Sequence, residues 1–406
     1  MSLPKTDPSL PSGSSPLFTD VNAVRGDQLR ANNGDIWDNL EYFDTQIDEV
    51  IEEVTGVNIR DGQIAGEYYV NTQSQFNAII EEVSGNQWQF IDDVKSVSLG
   101  YIAGGYQMND DDDYLETNNC KTIEMHGGAF LDFNAGIGYL SINTDDCYLR
   151  NVDIQGNGNS GAVVQSYLLG ANRVTYDNCK CSNRLSSVDM VGFQGSGTVA
   201  NNITSKYVNC SAYSLESADK LYGFKNCYNL QNCLAYDLDS TSGADYCYGF
   251  NYCYALNNCN AYSLIGNSYV YGFSWCYRLS SCLIDTISSI SSDASGFAFC
   301  FQISGCYSHT VDSVNASGHA SVGFGNCKQI SSCQAYDIDG YNAYGFSNCE
   351  TLSSCDATDI DSTSGVAYGF FGCDYGAALY TAETCNSCTF INANTTEYSC
   401  PTLLTP

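Results

Sequence analysis

The chain has 406 residues, 46 of them acidic and 15 basic, for a formal charge of −31. That balance excludes nucleic acid and anionic membrane as electrostatic partners, and favours solubility, neutral or cationic partners and divalent ions. No segment approaches the run of about 18 apolar residues that a membrane span needs.

Met1 to Pro16 reads as a Ser/Pro tail with no apolar signal core, so the sequence predicts no ordinary export. From Asp27 the pattern turns helical. Leu29, Asn33, Ile36, Leu40, Phe43, Ile47, Val50 and Val54 alternate steps of four and three after the first, a seam of about three heptads with Asn33 in a core position. An amphipathic helix packed on its own chain is one reading. A short, parallel, three-stranded coiled coil is the other, and it is preferred because Met1 to Gly26 offers little to pack against. Its trimer seam would be Ile36, Leu40, Phe43, Ile47, Val50 and Val54.

Val57 to Val70 then reads as extended. Thr72 is placed to cap a second helix carrying Phe76, Ile79, Ile80 and Val83. Gln87 to Met108 alternates like strands. A helix at this point would cover the open end of a strand stack, where unpaired edges invite aggregation. Asp110 to Asp113 reads as a solvated loop, with ion binding as the lesser option.

The dominant pattern lies further on. A unit of the form Tyr-Gly-Phe-x-x-Cys-x-x-Leu-x-x-Cys-x-Ala-Tyr-Asp-Ile-Asp recurs, with its glycines at Gly223, Gly249, Gly272, Gly296, Gly323, Gly345 and Gly369, 22 to 27 residues apart. Recurrence at this length means a solenoid. Leucine-rich repeats share the period but need a Leu-x-x-Leu-x-Leu consensus that is absent. What remains is an all-β, right-handed parallel β-helix of about 24 residues per coil. Within a unit, Phe224, Cys227, Leu230 and Cys233 recur at every third residue, and Ala235 and Leu238 follow. A long strand would show period 2 and a helix 3.6, so short strands separated by corners fit best. Equivalent inward residues then stack at about 4.8 Å, and Phe224, Phe250, Phe273, Phe297, Phe324, Phe346 and Phe370 are expected to form one ladder. The division that follows is 1–60, an attachment tail and trimeric helix; 61–119, lead-in strands and a capping helix; and 120–406, the β-helix with a C-terminal cap.

Most of the 22 cysteines fall on two interior positions of the repeat, among them the pairs Cys227 and Cys233, Cys253 and Cys259, Cys276 and Cys282, and Cys300 and Cys306. Stacked side chains run parallel at the rung spacing, whereas a disulfide wants Cβ atoms about 3.8 Å apart on converging bonds. Buried free thiols are the expectation. Cys385, Cys388 and Cys400 supply three thiols and no neighbouring His, short of a four-ligand zinc site.

Three stretches carry a resemblance. Phe18-Thr-Asp-Val-Asn-Ala-Val-Arg-Gly-Asp-Gln-Leu-Arg-Ala-Asn-Asn-Gly-Asp-Ile-Trp37 resembles the opening of bacteriophage tail-fibre and tailspike proteins. Gln75-Phe-Asn-Ala-Ile-Ile80 and Tyr148-Leu-Arg-Asn-Val-Asp-Ile-Gln-Gly156 resemble the first helix and first coils of their pectin-lyase-like β-helix. The Cys-rich Tyr-Gly-Phe coils depart from that pattern. The resemblance implies a homotrimer joined to phage tail or baseplate proteins through its N-terminus. It implies location on the virion tail after synthesis in the host cytoplasm without a signal peptide, and adsorption to a host-surface glycan or protein. A polysaccharide-degrading tailspike and a structural or cell-surface adhesin repeat are the alternatives.

Candidate chemistry is sparse. His126, His309 and His319 sit in unrelated repeat phases, Gly156 to Gly161 reads as a turn, and no catalytic residue can be assigned. Asp337, Asp339, Asp359 and Asp361 occupy one phase of successive coils, which predicts an outward two-by-two carboxylate patch. Such a patch suits a solvated face, a calcium ion or, with carboxyls about 5 Å apart, glycoside hydrolysis. Calcium is the one cofactor considered. Aromatics make the stronger case. Tyr228, Tyr254 and Tyr277 follow the first repeat Cys, and Tyr236, Tyr262 and Tyr336 precede the Asp position, so outward columns able to bind a sugar or peptide are expected. Ladder packing or burial against other subunits would explain the same columns.

Overall fold

The computed structural model describes residues 66–373 apart from 86, 109–113, 134–137, 156–163, 187–188, 196–204, 241–245 and 315–317, together with 385–386 and 389–391. These residues build a parallel β-solenoid of three sheets holding 13, 12 and 13 strands. One coil of the regular part shows how the sequence produces it. Leu221–Lys225 lies in the first sheet, Tyr228–Gln231 in the second and Leu234–Ser240 in the third. Each pairs in parallel with its counterpart one coil on, for example Phe224 with Phe250, Leu230 with Leu256 and Leu238 with Leu264.

The step of three has a backbone cause. Asn226, Asn229, Asn232 and Asp237 all adopt positive φ, between 50° and 56°. Between them the chain is extended, with one residue inward and the next outward. Phe224, Cys227, Leu230 and Cys233 are therefore buried, Lys225, Tyr228 and Gln231 face out, and the left-handed residue turns the chain back so that the next position is inward again. Asn and Asp tolerate this region better than other non-glycine residues, which explains the repeat's polar third positions.

Inside, like stacks on like. The phenylalanine ladder runs from Phe193 through Phe224, Phe250, Phe273, Phe297, Phe324 and Phe346 to Phe370, with ring centroids 4.7–4.9 Å apart and planes within 6°. The glycine before each Phe serves close approach rather than unusual φ. A Cβ on Gly249 would stand 2.7 Å from the Gly272 carbonyl oxygen and 2.9 Å from the Ala261 Cβ. The Gly-Phe and Cys-x-Ala elements of the repeat are thus two sides of one seam where first and third sheets touch.

The thiols behave as the stacking argument requires. The 19 cysteines from Cys120 to Cys373 are free, and all but Cys373 are buried. Each thiol at the first corner donates to the Phe carbonyl one coil back: Cys227 to Phe193 at 3.4 Å, Cys276 to Phe250 at 3.5 Å and Cys349 to Phe324 at 3.3 Å. Cysteine thus fits the corner as a small apolar residue with a weak donor for a buried carbonyl. Burial pushes the Cys120 thiol up to about 12 and raises Cys227 and Cys276 as well, so these three are poor nucleophiles.

The earlier coils use the same three sheets but individual solutions. The ladder position of Phe193 is taken by Tyr167, whose hydroxyl donates to the carbonyls of Val152 and Lys180 at 2.6 and 2.7 Å. Tyr176 and Tyr207 stack at 4.5 Å in the line continued by Leu230. Two expectations need correction here. The second helix, α1, spans only Gln73–Ala78; Thr72 caps it through Gln75 N, but Ile80–Ser84 is a strand in the first sheet, so Ile80 and Val83 are not helical. A six-residue helix offers too few bonds to resist the sheet's pairing demand. Likewise, position 120 is no boundary. Glu67–Val70 already pairs with Ser96–Leu99, which pairs with Thr122–Met125. The heptad seam from Ile36 to Val54, the Asp110–Asp113 run, Cys388, Cys400 and the chain end lie outside the described residues.

Candidate recognition surface

Each expected tyrosine lies in an outward column, but not all in the same one. Tyr228, Tyr254, Tyr277 and Phe301 run down the second sheet with centroids 5.5–6.1 Å apart. Tyr213, Tyr236 and Tyr262 stack at 4.9 Å on the third sheet. That line continues through Asp285 and His309, which stacks on Tyr336 at 5.0 Å. The structure therefore separates the six residues onto two faces. A third column, Tyr222, Tyr248 and Tyr271 on the first sheet, comes from the Tyr of Tyr-Gly-Phe. Parallel stacking covers ring faces, so these columns offer solvent mainly ring edges.

A fourth aromatic column was not anticipated. At the corner between first and second sheets, the left-handed position is Asn226 in one coil and Asn326, Asn348 and Gly372 in later ones. In the three coils between, it is Tyr252, Trp275 and Phe299, at φ 52°, 54° and 55°. Bulky residues rarely occupy this region, and holding one there costs about 1–3 kcal/mol. The rings gain each other's faces, at 5.9 and 4.7 Å, yet remain 52%, 41% and 39% exposed. Stacking and partial burial offset only part of that cost. The outer faces of Tyr252 and Phe299 have no ring partner among the described residues. Tyr277 and Phe301 stand in the adjoining column, and Arg278 places its guanidinium 5.1 Å from the centre of the Tyr254 ring. The signal was present, an aromatic at the second x of Phe-x-x-Cys in three successive repeats, but nothing in the pattern identified that x as left-handed.

The carboxylates point outward as expected: Asp337, Asp339, Asp359 and Asp361 are exposed, with Ile338 and Ile360 buried between them. Asp339 and Asp361 are register partners, and Asp312 precedes Asp339. Burial, then Asp361 and Asp337, raises the Asp339 carboxyl; burial, then Asp339 and Asp337, raises Asp312. Relief comes from within the chain. Thr310 Oγ1 donates to Asp337 Oδ2 at 3.0 Å, and Asp359 accepts from the Tyr336 hydroxyl and so holds that phenol up. Among the described residues, no group of three or more His, Cys, Asp or Glu side chains is placed to hold a metal ion. The histidines pair with acids: His309 Nδ1 lies 2.9 Å from Asp285 Oδ1 and His319 Nδ1 3.3 Å from Asp293 Oδ1.

One concave feature stands apart from these columns. A cleft of about 280 Å³ opens where the Met125–Ala129 turn overhangs the third sheet, with His126, Asn151, Asp153, Asn178 and Lys180 on its walls. Asp153 is half-buried there, accepts from Gln155 Nε2 at 2.9 Å and Ser182 Oγ at 3.3 Å, and is raised chiefly by its desolvation. Sequence reasoning missed it because Asp153 stands alone in its repeat phase and the overhanging turn comes from the preceding coil.

Among the described residues, no helix is long and apolar enough to cross a membrane. No protein-family model, curated protein or solved structure matches the chain.

Proposed function

We propose that this chain is a bacteriophage tail-fibre or tailspike protein that adsorbs the particle to its host. In this reading the solenoid is a right-handed, pectin-lyase-like β-helix, three copies associate through the N-terminal heptads, and the tail before them attaches to the virion. The observation that carries the reading is the concentration of exposed aromatic side chains on a stack whose interior is already filled. Exposed apolar columns mark interaction surfaces. Weak contacts repeated on a stiff support, and multiplied by three copies, give avidity without a deep pocket. The resemblance of Phe18 to Trp37 to the opening of tail-fibre proteins supports the assignment to a virion. Calcium at the Asp337–Asp361 patch adds little to this account, since Thr310 and Tyr336 already hydrogen-bond Asp337 and Asp359 and leave only Asp339 and Asp361 for an ion.

The Asp153 cleft favours one second reading, a tailspike that also cleaves the polymer it grips. A half-buried carboxyl in a cleft, held above its ordinary range, is suited to general-acid work. The test is to incubate the full chain with bacterial cells and their isolated envelope polysaccharide. Sedimentation of the chain with cells and no release of reducing sugar is the expected outcome. Sugar release abolished by Asp153→Asn establishes the second reading, and failure to sediment with any cell contradicts the first.

A further inference from the structure

The Tyr252–Trp275–Phe299 corner has features that folding and stacking account for only in part. Its neighbours in the same column are Asn and Gly, residues suited to positive φ, so the three aromatics occupy the position at a conformational cost. Large rings held at a strained position and still 39–52% exposed point to a surface kept for what it contacts.

The surroundings narrow the contact. From Tyr246 to Ile284 the chain has no Asp or Glu, and up to Val311 it has only Asp285 and Asp293, neither of them on the second sheet. In a chain of charge −31, this corner and the adjoining sheet face form a window free of carboxylates, with Arg278 as their one formal charge. A cationic partner would find its counter-charges on the third sheet, around Asp339 and Asp361, not here. A polyanion would be repelled by the rest of the chain. Taken alone, the window is too small to hold a second copy of the chain. Three coils at about 4.8 Å by some nine residues at about 3.3 Å give roughly 400 Å² per copy, half of the roughly 800 Å² a stable partner needs.

We propose that the Tyr252–Trp275–Phe299 corner, with Tyr277, Phe301 and Arg278 beside it, binds a strand of uncharged polysaccharide. The proposal rests on the host-recognition reading and names its ligand class. The outer faces of Tyr252 and Phe299 accept the apolar face of a sugar ring, while the edges between them, the Tyr277 hydroxyl and the Arg278 guanidinium meet hydroxyl groups. A neutral, hydroxyl-rich chain is the ligand that such a window selects within an acidic surface.

The test compares the full chain with a triple variant, Tyr252→Asn, Trp275→Asn and Phe299→Asn, which returns the column to residues suited to its backbone. Both are applied to a printed array of uncharged and charged oligosaccharides and to whole bacterial cells, and both are melted. The native chain is expected to hold uncharged glycans, and the variant to hold them at least about tenfold more weakly. The variant should also melt higher, by about 2 °C or more, because strain is relieved. Equal retention by both proteins, retention of charged glycans alone, no retention by the native chain, or a lower melting point in the variant each overturns the assignment. Cell binding separates this failure from a deeper one. If the native chain and the variant adsorb equally, recognition stands and this site is wrong; if the native chain adsorbs to no cell, the recognition reading has failed.

Discussion

The coils before and after Leu221 share three sheets and one interior, yet they solve the same packing problem differently. Between Leu221 and Cys373, most inward positions repeat one answer: Phe over Phe, Cys over Cys, Leu or Ile over Leu, and Gly against Ala except at Gly272 and Gly296, which meet Ile284 and Ser308. Before Leu221 the answers are local. Tyr106 spans the carbonyls of Val70 and Gly100, Tyr167 spans those of Val152 and Lys180, and Thr117 gathers Asn143 and Thr144. A ladder needs no polar partner, because each side chain is completed by its own copy one coil away. A buried tyrosine needs a specific acceptor, and that ties its coil to particular neighbours. Repetition therefore frees the later coils' outer face to vary, and that is where the strained corner aromatics and the carboxylate patch lie.

Four substitutions and conditions test this contrast, from the largest effect to the smallest. Phe273→Ala removes the middle of a ladder and should cost about 3–5 kcal/mol in denaturant unfolding. A loss below about 1 kcal/mol would mean that the neighbouring rings close the gap and that the ladder is not the core. Gly249→Ala should cost about 2–3 kcal/mol, because the added methyl meets a backbone oxygen that cannot move without shifting the next coil. A neutral result would show that the seam between first and third sheets is looser than the Gly-Ala contact implies.

How far the sequence could be read divides along the same line. Phe224, Cys227, Leu230 and Cys233 announce the solenoid because two extended residues and one left-handed residue make a period of three that survives in the letters. In the early coils Tyr167 and Phe193 share a ladder position without sharing a residue type, so position 120 looked like a boundary when the strands run on through it. Helix α1 was placed correctly by its Thr72 cap but read too long, since a hydrophobic run such as Ile79-Ile80 does not say whether helix or sheet claims it. The outward direction of Asp337 and Asp359 was legible from alternation. The cost carried by Trp275 was not, because it depends on a backbone angle that Asn226 and Asn326 reveal only once the coils are stacked.

The tyrosines of the early coils give the third test. Tyr167→Phe removes the hydroxyl that serves the Val152 and Lys180 carbonyls, of which Val152 keeps the Lys180 N–H, and should cost about 1 kcal/mol, whereas Tyr176→Phe removes a buried hydroxyl that has no partner among the described residues and should be neutral or stabilising. Equal losses in the two variants would show that ring packing, not hydroxyl bonding, sets the early coils apart. The smallest effect is with pH. Asp312, Asp339 and Asp153 have carboxyls raised in the fold, so their ionised forms oppose folding above those raised values. Stability should rise as pH falls from neutral through that range, and stop rising once the unfolded carboxyls also protonate near their ordinary value of about 4. Asp312→Asn with Asp339→Asn should raise the melting temperature at pH 7 and flatten part of that rise. An unchanged profile would mean that water fully screens this face.

The functional reading depends most directly on where the chain resides. Phage particles from cells carrying this gene, labelled with a gold-conjugated antibody against the Leu221–Cys373 coils and imaged by electron microscopy, provide that measurement. The account predicts gold at the host-facing end of the tail. Particles that bind no gold, while the chain is found only free in the lysate, would contradict it.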